Sequence, residues 1–161
     1  ITIPRSTGQI QMIYNHKPSQ YFHPYVVTPS TPLYPFGYGK SYTTFEYSGL
    51  ALSSDNMDKE GSVKVSVNVA NTGNMAGTEI VQLYLRDVFS QVTRPVKELK
   101  DFARVELAPG ESKVIEFTVT PDKLMFLDKN MKPIVEAGEF IVMVGSSSAD
   151  EDLLKASFWV K

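Results

Sequence analysis

The side chains able to do acid, base or metal chemistry are few and poorly grouped. Cysteine is absent, so thiolate nucleophiles, thiolate metal sites and disulfides are excluded. The two histidines, His16 and His23, stand seven apart in a segment with no helical pattern. A zinc site needs a third ligand that nothing nearby supplies, so they read as polar or stacking loop residues and no metal is expected. Carboxylates gather at Asp55, Asp58 and Glu60 and again at Asp150-Glu151-Asp152. Both groups lie in turn-like segments where a solvated charge run is the ordinary outcome, and SSSADEDLL lacks the alternating oxygen ligands of a calcium loop. GYGKS (37–41) has the GK[ST] ending of a phosphate loop, but its first glycine is missing and Pro35 precedes it. There is no GxSxG, and no pair of carboxylates is set out as glycoside chemistry requires. No catalytic residue and no cofactor are expected from this chain.

Aromatic residues are the remaining candidates. Tyr14, Tyr21, Phe22 and Tyr25 have faces that could stack on a sugar ring, or could pack between domains, the commoner fate of clustered aromatics. PLYPFGYGKSYTTF (32–45) adds Tyr34, Phe36, Tyr38 and Tyr42 in a stretch with hardly a charge. Trp159 either faces outward as a platform or covers a second face.

These residues must be positioned by β-structure. From Phe45 onward, apolar and polar residues alternate with period two, which half-buries a strand. Val63, Val65, Val67 and Val69 share one face of SVKVSVNVAN, closed by the turn formers NTGNMAG. In EIVQLYLRD, Val81, Leu83 and Leu85 point inward, and Gln82, Tyr84 and Arg86 outward. FARVEL (102–107), VIEFTV (114–119), FIVMVG (140–145) and ASFWVK (156–161) complete about seven strands. That is an all-β antiparallel sandwich of immunoglobulin or fibronectin type III kind. TPDKLMF (120–126) offers at most one helical turn, with Thr120 as N-cap and Pro121 at its first position.

Residues 1–43 differ. QIQMIYNH (9–16) reads as a strand, with Ile10, Met12 and Tyr14 on one side. Pro18, Pro24, Pro29, Pro32 and Pro35 then impose an extended connector that can be neither helix nor central strand. One strand and a connector cannot bury a core, so Ile1–His16 is expected to belong to a neighbouring domain or partner. An unpaired strand edge recruits another, so the arm is expected to pair with a second chain or fold back on its own sandwich. With Ile at position 1, the chain reads as a piece of something longer. The net charge of −2 gives no reason to expect nucleic acid or an anionic membrane as partner, and no apolar run approaches the roughly 18 residues of a membrane helix.

Taken together, PRSTGQIQMIYNHKPS, TPLYPFGYGKSYTTFEYS, EIVQLYLRD, RPVKELKDFARVELAPGES and EAGEFIVMVGSSS resemble, in order, the C-terminal end of glycoside hydrolase family 3. That family holds β-glucosidases, β-xylosidases and related exo-acting enzymes. Gln11, Ile13 and Lys40 stand where proline, tyrosine and leucine are usual, at positions not expected to carry chemistry. The resemblance implies that residues 1–17 end an α/β sandwich domain, 18–43 form a linker and 44–161 a fibronectin type III-like domain. It implies a retaining mechanism whose nucleophilic Asp and acid/base lie in upstream domains, leaving this segment a noncatalytic scaffold. Its partners would be those domains and, for the whole enzyme, β-glucosides or oligosaccharides, in the periplasm or outside the cell, with homo-oligomerisation through the arm. Tyr34, Phe36, Tyr38 and Tyr42 become an interdomain strap. The competing expectation is a self-sufficient carbohydrate-binding or adhesion module.

Overall fold

A computed structural model describes residues 1–9, 12–18 and 27–161. Seven strands of eight residues or more carry the fold: β1 (Phe45–Leu52), β3 (Val63–Asn71), β4 (Gly77–Asp87), β5 (Glu98–Leu107), β6 (Ser112–Val119), β9 (Gly138–Gly145) and β10 (Leu153–Val160). Two-residue strands add β2 (Asn56–Met57), β7 (Phe126–Leu127) and β8 (Pro133–Ile134), pieces too short to leave a periodic signal. The helical turn α1 (Pro121–Leu124) begins after Thr120 with proline at its start, though Thr120 makes no side-chain cap.

The strands form a three-stranded sheet ordered β1-β3-β6 and a five-stranded sheet ordered β2-β10-β9-β4-β5, with β7-β8 as a separate hairpin. All long neighbours are antiparallel; β2 alone runs parallel, along β10. This is the fibronectin type III arrangement of two facing sheets. Its core is the residue set that the alternation points inward. Val63, Val65, Val67 and Val69 of β3 face Val81, Leu83 and Leu85 of β4, with Val142, Val144 and Phe158 beside them, all buried. Burying β-branched side chains between two pleated surfaces stabilises each by about 1.5 to 3 kcal/mol. Trp159 points the other way on β10 and is 53% exposed.

One expectation holds only in direction and one fails, for one physical reason. Gln82 and Tyr84 of β4 face away from the core, yet they are 5% and 0% exposed. The segment expected to be a strand over 9–16 holds none at Met12–His16, while Ile10 and Gln11 lie outside the described residues. A strand is sustained by a ladder of neighbours. Among its described residues the arm makes only isolated backbone hydrogen bonds, so it packs through side chains instead: Tyr14 lies against Tyr84, while Gly37 of the following segment covers Gln82. Of the two routes expected for the arm, the fold-back is the one present in this chain.

Candidate functional site

The outer face of the five-stranded sheet carries a second built surface. Tyr84 from β4, Met143 from β9 and Leu153 from β10 form a second apolar cluster there, flanked by Leu99 and Ile141. Onto it fold two segments without regular structure, the arm through Tyr14 and the 32–44 strap through Phe36. The Tyr14 and Phe36 rings stack at 4.2 Å with 17° between planes, and Tyr14 meets Tyr84 edge-on at 5.9 Å. The Tyr14 hydroxyl accepts the Leu99 backbone N–H at 3.3 Å. The arm continues along the β4–β5 loop, where the Val96 N–H donates to His16 O at 2.9 Å and Lys17 Nζ donates to Thr93 O at 3.0 Å.

Gln82 joins the strap to the sheet. Its amide nitrogen Nε2 donates to Gly37 O at 3.1 Å and to Ser146 O, while its Oε1 accepts the Tyr84 hydroxyl at 2.6 Å. The Ser148 N–H donates to Phe36 O at 2.8 Å. Gly37 has φ +81°, and a Cβ there would lie 2.0 Å from Gln82 Oε1. Only glycine lets the strap turn this tightly against the carboxamide. Burial pushes the Tyr84 phenol well above its ordinary range, with Tyr14 adding to the effect.

The strap is fastened at both ends. Near its start, Ile3 forms an isolated antiparallel bridge with Tyr34, and the buried Gln9 donates to Pro29 O at 2.7 Å. At its far end Thr43 Oγ1 donates to Asn71 Oδ1 at 2.6 Å. Asn71, 1% exposed, also donates through Nδ2 to Met75 O and Leu107 O and accepts the Gly73 N–H. One buried carboxamide thus ties strap, turn and β5 together with every polar group satisfied. Lys97 plays a like part: 8% exposed, it donates to Ser148 O at 2.8 Å and Asp150 Oδ1 at 3.0 Å. Partial burial alone would raise the Asp150 carboxyl, but Lys155 and Lys97 outweigh it and hold it below the usual carboxylate range.

Beside the strap lies a crevice of about 610 Å³ whose walls include Tyr38, Lys40, Tyr47, Glu79, Ser147 and Asp152. Its carboxylates are engaged locally. Glu79 accepts the Tyr47 hydroxyl at 2.7 Å and Asp152 accepts Ser147 Oγ at 2.5 Å. Burial raises the pKa of both Tyr47 and Glu79; the shared hydrogen bond raises the phenol further and opposes the rise at the carboxyl.

The sequence candidates divide accordingly. Tyr14 and Phe36 meet on the sheet. Tyr34 and Tyr38 stack on each other at 5.0 Å while remaining 39% and 44% exposed, and Tyr42 is 93% exposed. Tyr21, Phe22, Tyr25 and His23 lie outside the described residues. No cluster of three or more potential metal ligands exists among the described residues. Gln82, Asn71 and Lys97 escape sequence reasoning because each sits where a polar residue is ordinarily solvated. The turn signal NTGN around Asn71 is the only hint.

Comparison with known proteins places this surface in context. Residues 79–148 match the family model described as fibronectin type III-like domain. The chain is similar along all its 161 residues, at 46% identity, to a putative beta-xylosidase of Formosa agariphila, of which it covers 21%. It is 43% identical over 159 residues to a periplasmic beta-glucosidase of Salmonella typhimurium, covering 92% of this chain and 21% of that protein. Among solved structures, a β-glucosidase of Erythrobacter marinus superposes with TM-score 0.93 at 39% identity, over 99% of this chain and 21% of that one. The Listeria innocua β-glucosidase solved with glucose gives 0.90 at 36% identity, over 99% and 23%. The chain spans about a fifth of the length of these relatives, and the superposition takes in arm and strap as well as the sandwich.

Proposed function

The chain belongs to the fibronectin type III-like C-terminal region of glycoside hydrolase family 3 enzymes, and from that premise we propose that it is the noncatalytic scaffold of an exo-acting β-glycosidase, of β-glucosidase type. The observation that carries this reading is the alignment of the whole chain, arm included, with one fifth of enzymes of that name. The local chemistry agrees. Retaining hydrolysis uses two carboxyl groups roughly 5 to 5.5 Å apart across a sugar bond. In this chain three of the partly buried carboxylates are committed to neighbours: Glu79 to Tyr47, Asp152 to Ser147 and Asp101 to Lys123. The nucleophile and acid/base of the whole enzyme then lie in upstream domains, which act on terminal β-linked sugars.

In this reading residues 1–17 close the preceding α/β sandwich domain, 18–43 are the linker and 44–161 the scaffold. Tyr34, Phe36, Tyr38 and Tyr42 strap the scaffold to the catalytic body, and Tyr14, with Tyr21, Phe22 and Tyr25 outside the described residues, is assigned as a sugar-proximal or interdomain aromatic. The exposed Tyr34–Tyr38 stack beside the half-exposed Leu33 supports a surface awaiting that body. The periplasmic relative supports a periplasmic or secreted location for the enzyme. The arm's described contacts go to other parts of this chain, which favours an intrachain role over homo-oligomerisation.

The test is calorimetry of this chain with cello-oligosaccharides, together with a nitrophenyl β-glucoside assay of the chain alone and of the chain joined to its upstream domains. Turnover only when joined, and no binding heat from the chain alone, is expected. Clear sugar binding by the isolated chain would favour a carbohydrate-binding module, and turnover by it would overturn the scaffold reading.

A further inference from the structure

Among the described residues, three buried side-chain polar atoms lack a hydrogen-bond partner: Asp87 Oδ2, Ser90 Oγ and Arg94 Nε. All three belong to one stretch of eight residues, from the end of β4 into the loop that leads to β5. An acceptor, a hydroxyl and a donor are thus buried unpaired in one short loop. Buried polar groups are ordinarily paired, so such a concentration is costly and marks a segment held short of its own hydrogen-bonding optimum.

The surroundings explain why Arg94 does not simply neutralise Asp87. Its Nη2 donates to Glu98 Oε2 at 2.6 Å, and its guanidinium lies 4.7 Å from the centre of the Phe126 ring. The charged groups acting on Asp87 are therefore Arg94 from the loop, Glu98 from β5 and Glu136 from the segment between β8 and β9. Two of the three repel a carboxylate. Glu136 is itself fixed to the loop by accepting the Gln91 N–H at 3.1 Å.

We propose that Asp87, Ser90 and Arg94 form a proton-controlled root for the 88–97 loop, closed when Asp87 is protonated and opened to water when it is ionised. Burial, assisted by Glu136 and Glu98 and opposed by Arg94 and by a hydrogen bond from the Phe89 backbone, pushes the Asp87 carboxyl up to about 6. In the open loop water surrounds the group and returns it to the ordinary value near 4. Below about pH 4 both states hold the proton and the closed loop has its full stability. Between about 4 and 6 only the closed loop holds it, so opening grows easier as pH rises. Above about 6 both are ionised and the difference is constant. The readout is not confined to the loop, because Thr93 O and the Val96 N–H hold Lys17 and His16 of the arm. Deprotonation at the root loosens the arm's hold.

The experiment is NMR on the full chain, following the Asp87 side-chain carboxyl carbon and the exchange of the Val96 amide, corrected for its intrinsic pH dependence. Expected are a carboxyl midpoint near 6 and local opening at Val96 about tenfold more frequent at pH 7 than at pH 4.5, a figure discounted for the partial exposure of Asp87. Asp87→Asn should abolish that pH dependence, and Glu136→Gln should move the Asp87 midpoint downward. A midpoint near 4, an opening frequency that ignores pH, or an unchanged pH dependence in Asp87→Asn would each overturn the proposal. Should Asp87→Asn fold poorly, the wild-type midpoint and the Glu136→Gln shift still decide it.

Discussion

Gly37 and Gln82 divide one task between backbone and side chain. The glycine turns the strap with φ +81° and clears space, and the carboxamide fills that space with hydrogen bonds to Gly37 O, Ser146 O and the Tyr84 hydroxyl. Gly37→Ala is therefore expected to destabilise by about 3 kcal/mol, combining a strained left-handed residue with displacement of a buried amide. Urea unfolding measures it, and a loss within 0.5 kcal/mol, the scatter of ordinary surface changes, would contradict this account. Part of this was legible: glycine in PFGYG signals a tight bend. The role of Gln82 was not. Alternation along one strand states which way a side chain points, but not whether a distant segment covers it. The same limit hid Asn71 and Lys97, whose partners are backbone carbonyls far along the chain.

At the scale of elements, the long strands were readable because each carries one buried face, and the valines of β3 make the period unmistakable. The arm misled for the converse reason. Its alternation places Met12 and Tyr14 on one side, as a strand would, but alternation cannot supply the neighbour that a strand needs. Tyr14 instead lies flat on Phe36 and edge-on to Tyr84. Tyr14→Ala is expected to cost about 2 kcal/mol, less than a fully buried aromatic because the ring is half-buried, and to leave the sandwich folded. Near-ultraviolet circular dichroism should lose the signal of the stacked tyrosine while the far-ultraviolet strand signal stays. Loss of both together would show that arm and sandwich form one cooperative unit.

For the whole molecule, two apolar clusters share one sheet. The larger is closed by the two facing sheets and asks nothing of residues 1–44. The smaller, around Tyr84, Met143 and Leu153, is closed only when arm and strap lie over it. Removing residues 1–17 should thus leave the sandwich able to fold, lower its melting temperature by several degrees and increase binding of an apolar dye to the uncovered face. An unchanged melting temperature and dye signal would show that Phe36 alone suffices as a cover. Sequence reading reached the sandwich. It did not reach the face beneath residues 32–44, because that face is formed by contacts between segments 45 and more residues apart, such as Gly37 with Gln82 and Tyr14 with Tyr84.

The outward position of Trp159 decides how such experiments can be read. It is the chain's only tryptophan, and at 53% exposure its indole meets water before any unfolding occurs. Its emission will already resemble that of a free indole in the native protein, so fluorescence spectra will understate how much structure is lost. Three tyrosines are the better witnesses, since Tyr84 is sealed from solvent and Tyr14 and Tyr47 are half-covered.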